Sequence, residues 1–387
     1  MADLFGWRRI ALAALVWAAL CAAVLAGPAV AGQWLPGDMH SHISPPDVPP
    51  TYKHATNNLE GAIAAARASG LKWLVVTPHA MDQNDEKTGR LWAVEMNERL
   101  AKREAKADDP LVVLGWECTA EWPGHITVSF CDLATVVKLP VGKMLEKIRG
   151  QGGLAIVAHP YDLPNLFDRN NRSWRPWTEP QRGGQEFAPW LSGLEIRHPM
   201  SPASQATERW DQWIGREQRR VIGVGSTDDH VGVLYRTTWV WIEGDLTRDK
   251  LREALKGGRV VVGGEASAGT LAVTIDRHDS AGKAVSAGPG EALDARDHAN
   301  ISWIGSEGRL FIDGKLQADA RSPVEFKFDQ GTFHWVRLEV GTRSYANPVY
   351  LNLPVEKTPP LRPEEKKPPV GTPTSAQPAV VPAASKH

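Results

Sequence analysis

Residues 35–42 read Leu-Pro-Gly-Asp-Met-His-Ser-His, so a short apolar run leads directly into a His-x-His motif. Other histidines and acids hold the same position relative to later apolar runs, at the ends of predicted strands: His79, Glu117, His125, His159, Asp228 and His230. The carboxyl ends of parallel strands in a βα fold converge on one face, where active sites are built. We therefore expect these widely spaced residues to meet in one pocket.

The stretch from residue 35 to residue 230 predicts an α/β fold. Short apolar runs alternate there with amphipathic stretches, as in a βα barrel or a layered α/β fold. One predicted helix begins after the N-cap Asn57 and stops at Gly70. A hairpin is predicted around Pro123-Gly124. The long connection Leu163–Trp190 is rich in Trp and has no periodicity, which favours either a functional loop at the pocket or a packed surface loop.

The first 31 residues are predicted to be a signal peptide. Arg8 and Arg9 precede an apolar run over residues 10–26, and residues 29–31 are a small-x-small cleavage pattern. An uncleaved membrane anchor is the alternative, for which the apolar run is slightly short. We expect a periplasmic or secreted protein without stable membrane insertion.

The overall charge of the chain is balanced. The 44 Lys and Arg residues stand against 45 Asp and Glu residues. A basic surface over the whole protein, as nucleic-acid binding would require, is therefore not indicated. A small molecule is the expected partner.

The mixture of imidazoles and carboxylates at the predicted strand ends is suited to metal binding. Neutral imidazole and carboxylate are ligands for Mn, Fe or Zn, and a Glu can bridge two cations while offsetting their repulsion. No cysteine is needed, which disfavours a thiolate-bound structural zinc site. Two or three divalent ions are the expected cofactors.

Taken together, these motifs resemble the polymerase and histidinol phosphatase (PHP) superfamily. The matching segments are Asp38-Met39-His40-Ser41-His42, Asp47, His79, Gly115-Trp116-Glu117, Gly124-His125, His159-Pro160 and Asp228-Asp229-His230. The resemblance covers about residues 36–232. It implies a distorted (βα)7 barrel, and the chain departs from the family pattern at Pro46-Asp47-Val48 and at the extra Thr227.

The resemblance also implies three metal sites. The first would use His40, His42, Glu117 and Asp228, the second Glu117, His125 and His159, and the third Asp47, His79 and His230. Glu117 and Asp228 would be the catalytic residues. Arg197 and Arg236, near strand ends, are candidates for binding a substrate anion. His198 is an open alternative, either lining the pocket or replacing His159 as a ligand.

The C-terminal part is similar to one branch of that superfamily. Residues 254–260 and 346–350 resemble segments of carbaryl- and carbofuran-hydrolase-like metallohydrolases. The predicted organisation is a signal peptide (1–31), a PHP-like barrel (32–265), a small all-β sandwich (266–354) and a Pro-rich disordered tail (355–387). The sandwich prediction rests on short alternating strands between residues 270 and 353.

The expected activity is metal-dependent hydrolysis, in which a hydroxide that bridges two metal ions attacks the substrate. A phosphoester is the first choice of substrate, because three cations suit three phosphoryl oxygens. A carboxyl ester, amide or carbamate is the alternative on the same site. The alternative of another class is a non-catalytic periplasmic module that binds a metal or ligand.

Overall fold

The computed structural model describes residues 32–47, 55–79, 86–118, 125–136, 139–160, 185–199, 203–278, 282 and 284–356. These residues belong to one compact unit, Met1–Lys357. The predicted signal peptide, nearly all of the predicted tail, the turn at Pro123-Gly124 and residues 161–184 of the long Trp-rich loop lie outside the described residues. Within the described ranges, no helix is both long and apolar enough to cross a lipid bilayer.

Three parallel strands and two helices begin the fold. They are β1 (Gly32–Asp38), α1 (Leu59–Ala68), β2 (Trp73–Val76), α2 (Glu86–Lys102) and β3 (Leu111–Cys118). β2 pairs with β1 on one side and with β3 on the other, both in parallel. All four residues of β2 are buried, as expected of a strand in the middle of a covered sheet.

The first helix shows how local sequence sets these boundaries. Its buried residues recur on one face, at Leu59, Ala62, Ile63 and Ala66. The N-cap is Asn58, whose side chain accepts the N–H of Gly61 at 2.9 Å, and not Asn57 as the sequence predicts. The carbonyl of Asn57 instead accepts the N–H of Ser44, which ties the segment before the helix to the loop after β1.

The chain then reverses and continues the same sheet. The next elements are β4 (Ile126–Ser129), α3 (Leu133–Val136), α4 (Val141–Gly150), β5 (Leu154–Val157), β6 (Gly193–Arg197), α5 (Ala203–Glu217) and β7 (Ile222–Gly225). β4 is antiparallel to both β3 and β5, with Cys118 opposite Ile126, so the predicted hairpin strands are confirmed. β5, β6 and β7 are parallel to one another. The end of the long loop forms a 3-10 helix at Gln185–Trp190, and Trp190 is buried in the core.

The sheet is open, and the predicted (βα)7 barrel is not confirmed. β8 (Thr238–Glu243) runs antiparallel along all but the last residue of β1, from Gly32 to Gly37. This pairing occupies the edge of β1 that β7 would need to close a barrel. In the described residues, the ends of β1 and β7 are joined by an isolated bridge between Ser41 and Asp229 and by hydrogen bonds from Thr227 to Asp38, without a strand pairing. The result is a mixed α/β fold with a large sheet and few helices.

The C-terminal strands extend this sheet and add a second one. They follow α6 (Arg248–Lys256) and are β9 (Val260–Gly263), β10 (Ala272–His278), β11 (Ala284–Ala287), β12 (Ala292–Leu293), β13 (His298–Ser302), β14 (Gly308–Ile312), β15 (Lys315–Leu316), β16 (Val324–Lys327), β17 (His334–Val340), β18 (Ser344–Ala346) and β19 (Val349–Leu351). β9 carries the large sheet through β18 into β17 and β19, whereas β11, β10, β13 and β16 form the second sheet. Residues from both sheets, such as Val273 and Leu338, share one hydrophobic core.

Candidate metal centre

The segments that follow the central strands bring histidines and carboxylates together in one cluster. His40 and His42 follow β1, His79 follows β2 and His159 follows β5, while Asp228 and His230 follow β7. Glu117 lies within β3, and His125 directly precedes β4. Three groups of these residues place one ligand atom each within 4.8 Å of the others: His40, His42, Glu117 and Asp228; Glu117, His125 and His159; and His42, His79 and His230.

The first group is the most enclosed. The Nε2 atoms of His40 and His42 are 3.0 Å apart, and both rings are fully buried. Asp228 Oδ1 lies 3.3 Å and 2.9 Å from these nitrogens, and Glu117 Oε2 lies 3.6 Å and 3.5 Å from them. Four ligands at metal–ligand distances of 2.0–2.2 Å around a tetrahedral ion are about 3.4 Å apart. The spacing of the four ligand atoms therefore fits a divalent ion.

The second group shares Glu117 with the first. Its other oxygen, Oε1, lies 2.6 Å from His125 Nδ1 and 2.9 Å from His159 Nε2, and these two nitrogens are 3.1 Å apart. One carboxylate thus directs Oε2 to one group and Oε1 to the other. This is the arrangement expected of a Glu that bridges two cations.

The third group differs from the sequence prediction at Asp47. The structure combines His79 and His230 with His42, whose ring stacks on that of His230 with centroids 3.8 Å apart. The carboxylate of Asp47 instead lies 2.7 Å from His42 Nδ1 and accepts the backbone N–H of His79 at 3.0 Å. Asp47 therefore orients two members of the group and is not itself within it.

Buried charges in the cluster favour a bound cation. Burial alone would raise the pKa of Glu117, but the rings of His125, His40 and His79 hold it well below its usual value. Burial likewise opposes ionisation of Asp228, yet the surrounding imidazoles, His40 first, hold its pKa well below normal. Conversely, the carboxylates of Asp228, Glu117 and Glu195 overcome burial and raise the pKa of His40 well above normal. Both carboxylates are thus ionised in a protected site.

Two oxygens of the cluster lack a hydrogen bond of good geometry. Glu117 Oε2 and Asp228 Oδ1 are buried, and among the described residues they have only ring nitrogens close by, at 2.8 Å (His79) and 2.9 Å (His42), without the geometry of a hydrogen bond. A buried carboxylate oxygen without a partner costs free energy, because its interaction with water is lost and not replaced. Both oxygens point into the first group, where a divalent cation would satisfy them. The donor set and these two oxygens together fit a metal ion.

Two carboxylates beside the cluster were not predicted from the sequence to have a role in it. Glu195 is fully buried on β6, with Oε1 2.9 Å from His40 Nδ1 and Oε2 accepting the N–H of His159 at 2.6 Å. Asp38, at the end of β1, accepts hydrogen bonds from the Thr227 hydroxyl and the N–H of His40. An acid within the otherwise apolar run Gly-Leu-Glu-Ile of β6 is the sequence signal that could have identified Glu195.

Asp228 and Asp229 have separate roles. Asp228 has a φ of +49°, a left-handed conformation that Asp tolerates better than most residues, and its carboxylate faces His40 and His42. Asp229 points away and accepts the N–H groups of Val231, Gly232 and Val233 at 2.8–3.0 Å. Asp229 therefore stabilises the loop, and Asp228 is the acid within the cluster.

The candidate anion-binding arginines contact other parts of the chain. Arg236 donates to the carbonyl of Ser69 at 3.4 Å and lies over the ring of Trp239. Ser69 caps the C-terminus of α1 and lies just before the start of β2. His79 follows the other end of β2. Arg236 therefore extends away from the cluster. Arg197 donates to the carbonyl of Arg343 at 3.1 Å. A substrate-binding role for either side chain stays a prediction.

His198 lies beside the first group, and His159, not His198, is the member of the second group. His198 Nε2 is 3.3 Å from Asp228 Oδ2, and its ring centroid is 5.2 Å from that of His159. His198 therefore lines the cluster, which is one of the two alternatives left open by the sequence.

Comparisons with known proteins give only distant likenesses. No protein-family model matches the chain, and no curated protein matches it. One similar solved structure is a two-domain protein from Bacteroides vulgatus ATCC 8482 that contains a predicted PHP-like metal-dependent phosphoesterase. It is 14% identical to this chain with a TM-score of 0.44, and the match covers 82% of this chain and 95% of that one.

Two further structures are similar over a shorter stretch. One, from Bifidobacterium adolescentis ATCC 15703, is assigned as a metal-dependent phosphoesterase. It is 18% identical to this chain with a TM-score of 0.35, and the match covers 57% of this chain and 95% of that one. The other is PsfC from Pseudomonas syringae PB-5123, 13% identical with a TM-score of 0.37, covering 56% of this chain and 84% of that one. Because all three TM-scores are below 0.5, we base the functional proposal on this chain's own side chains.

Proposed function

We propose that this protein is a metal-dependent hydrolase, and that phosphoesters are its substrates. The observation that carries the proposal is the position of Glu117. Its two oxygens face different groups of imidazoles, at 2.8 Å from His79 Nδ1 on one side and 2.6 Å from His125 Nδ1 on the other. A carboxylate shared in this way holds cations as close neighbours, which is the arrangement that hydrolytic enzymes use.

The cluster has a closed side and an open side. His40 and His42 are fully buried, whereas the side chains of His125 and His230 are 23% and 28% exposed. Substrate would therefore approach from the side of His125 and His230. Asp228, with 14% of its side chain exposed, lies between the two sides and would hold its ion within reach of the substrate.

When bound, divalent ions would supply Lewis-acid polarisation of the substrate and activation of water. The role of the protein residues is to hold the donor atoms in place and to exclude water from the closed side. The adjacent donor groups support a phosphoester, because neighbouring cations would face the non-bridging oxygens of a phosphoryl group. Mn, Fe and Zn are the ions that this donor set suits.

The finer assignments are proposals of the same kind. The order and spacing of the motifs from His40 to His230 support a place in the PHP superfamily, and residues 254–260 support its carbaryl- and carbofuran-hydrolase-like branch. The apolar run within the first 31 residues supports export from the cytoplasm after signal cleavage. Divisions near residues 265 and 354 remain the proposed domain boundaries.

The test is a substrate panel on purified protein whose metal content has been measured. p-Nitrophenyl phosphate, bis-p-nitrophenyl phosphate and p-nitrophenyl acetate are assayed after chelation and after adding back Mn²⁺, Fe²⁺ or Zn²⁺. We expect hydrolysis of a phosphate ester that is lost on chelation and restored by metal. Turnover of the acetate alone would favour the carboxyl ester, amide or carbamate alternative. Bound metal without any turnover would favour the non-catalytic module.

A further inference from the structure

Glu195 connects two of the three donor groups without belonging to either. It lies on β6, is fully buried, and is 155 residues from His40 and 36 residues from His159 in sequence. One oxygen contacts the His40 ring, which belongs to the first group, and the other contacts the backbone of His159, which belongs to the second. The contact to His40, at 2.9 Å, is within the usual range for hydrogen bonds to a carboxylate, and the contact to His159, at 2.6 Å, is slightly shorter.

The contact to His40 determines which ring nitrogen can bind a metal. Because an ionised carboxylate only accepts hydrogen bonds, Nδ1 of His40 must carry the proton that it donates to Glu195. In the neutral ring, which is the form that binds a metal, Nε2 of His40 then keeps its lone pair, and this atom faces Glu117 Oε2 and Asp228 Oδ1. A carboxylate behind a ligating imidazole fixes the tautomer and the orientation of the ring, and makes the ring a stronger donor.

The contact to His159 restrains the backbone. His159 has a φ of +27°, in a region that residues other than glycine rarely adopt. Its N–H donates to Glu195 Oε2 at 2.6 Å, which holds this strained backbone and thereby sets the position of the His159 ring beside Glu117. Strained conformations of this kind persist only where their surroundings impose them.

We propose that Glu195 is a positioning residue that presets both metal-binding groups, by fixing the His40 tautomer and the His159 backbone at once. The proposal rests on the proposed function, since it assumes that these groups bind divalent ions. It predicts that loss of the charge on Glu195 weakens metal binding even though Glu195 itself donates to no metal.

Glu195→Gln tests the proposal because glutamine cannot make both contacts. If the amide oxygen accepts from His159, the amide NH₂ faces His40 Nδ1 and forces the proton onto Nε2, where it blocks coordination. If the amide oxygen accepts from His40, the NH₂ faces the N–H of His159, and two donors oppose each other in a buried site. Either orientation disturbs one donor group.

The matched control is Glu339→Gln on β17. Glu339 is also buried, accepts from Arg337, and lies outside the three donor groups. Zn²⁺ affinity is measured for the full chain and both variants by competition with a chromophoric chelator. We expect Glu195→Gln to bind its tightest Zn²⁺ about 10–100-fold more weakly than wild type, with Glu339→Gln within about threefold of wild type.

A second readout follows the tautomer directly. Long-range ¹⁵N–¹H spectra of the histidine rings in the Zn²⁺-loaded protein are expected to show Nδ1 of His40 protonated in wild type and perturbed in Glu195→Gln. Glu195→Asp keeps the charge but is one methylene too short to contact both His40 and His159, so the same loss of affinity is expected from it, and it serves if Glu195→Gln fails to fold. Equal Zn²⁺ affinities in the Glu195 variant and the control would refute the positioning role. A wild-type protein that binds no Zn²⁺ would instead refute the proposed function.

Discussion

Replacing Glu117 with Gln is the most informative single change, because one carboxylate is shared by two donor groups. The substitution keeps size and shape but removes the charge and one acceptor oxygen. The first group falls from four ligands to three and the second from three to two, since the amide NH₂ must face one of them. The neutral amide also ceases to offset the repulsion between neighbouring cations.

The expected magnitude follows from this geometry. Glu117 Oε2 is within 2.8–3.6 Å of ring nitrogens of His79, His42 and His40, so no other side chain can take its place without rebuilding the cluster. Electrostatic stabilisation by bound ions contributes several kcal/mol to a hydrolytic transition state, and a loss of about 4 kcal/mol corresponds to about a thousandfold lower rate. We expect at least that loss of kcat/KM, and a loss of one or both of the ions shared by Glu117.

The assay combines metal content per chain with kcat/KM on the best substrate of the panel. Glu339→Gln is the control, since it removes the same charge from a buried site outside the cluster and should leave both readouts near wild type. Thermal unfolding of each variant checks that the chain remains folded. A Glu117→Gln protein with wild-type turnover and unchanged metal content would refute the bridging role.

Three further changes test other parts of the account. His79→Ala should lower the metal content by about one ion per chain, and an unchanged content would show that the third group binds no metal. Asp228→Ala should lose metal from the first group, whereas Asp229→Ala should keep it and lower only the free energy of unfolding; the reverse pattern would exchange their roles. Arg337→Met should destabilise the fold by about 3–5 kcal/mol in urea unfolding, because it leaves the buried carboxylate of Asp211 without its cation and leaves Glu339 paired only with the exposed Arg309. A loss below about 1 kcal/mol would contradict that explanation.

The members of the cluster could be anticipated from sequence because strand ends fix their positions. His40 and His42 come directly after a short apolar strand, and His79 and His159 each follow another. Parallel strands deliver their carboxyl ends to one face, so the convergence of these side chains needs no knowledge of loop conformation. The same reasoning gives the mixed α/β fold.

The direction in which a side chain points was harder to predict. Asp47 follows His42 by five residues, as a ligand would, yet its carboxylate turns towards His42 Nδ1 and the backbone of His79. Arg236 lies near a strand end and contacts Ser69 and Trp239, partners that the sequence does not indicate, while its substrate-binding role stays a prediction. In both cases the decisive partner is a loop or helix terminus whose position is set by tertiary packing and not by local pattern.

Closure of the sheet depended on pairing between strands distant in sequence. The alternating run of β8 shows that it is a strand but does not show which edge it joins. Its antiparallel pairing along β1, which lies more than 200 residues earlier in the chain (Gly37 opposite Thr238), leaves β7 at the edge of the sheet. Glu195 was missed for a related reason, because its partners, His40 and the backbone of His159, come together only in the folded chain.

The most direct test of the metal centre is anomalous diffraction from crystals of the protein grown with Zn²⁺ or Mn²⁺, with data collected on both sides of the metal absorption edge. We predict two anomalous peaks, one on each side of the Glu117 carboxylate. Each would lie within about 2.0–2.2 Å of one Glu117 oxygen and of the ring nitrogens that face it. One would lie among His40, His42 and Asp228, and the other beside His125 and His159. Metal-loaded crystals with no peak in contact with Glu117 would contradict the account.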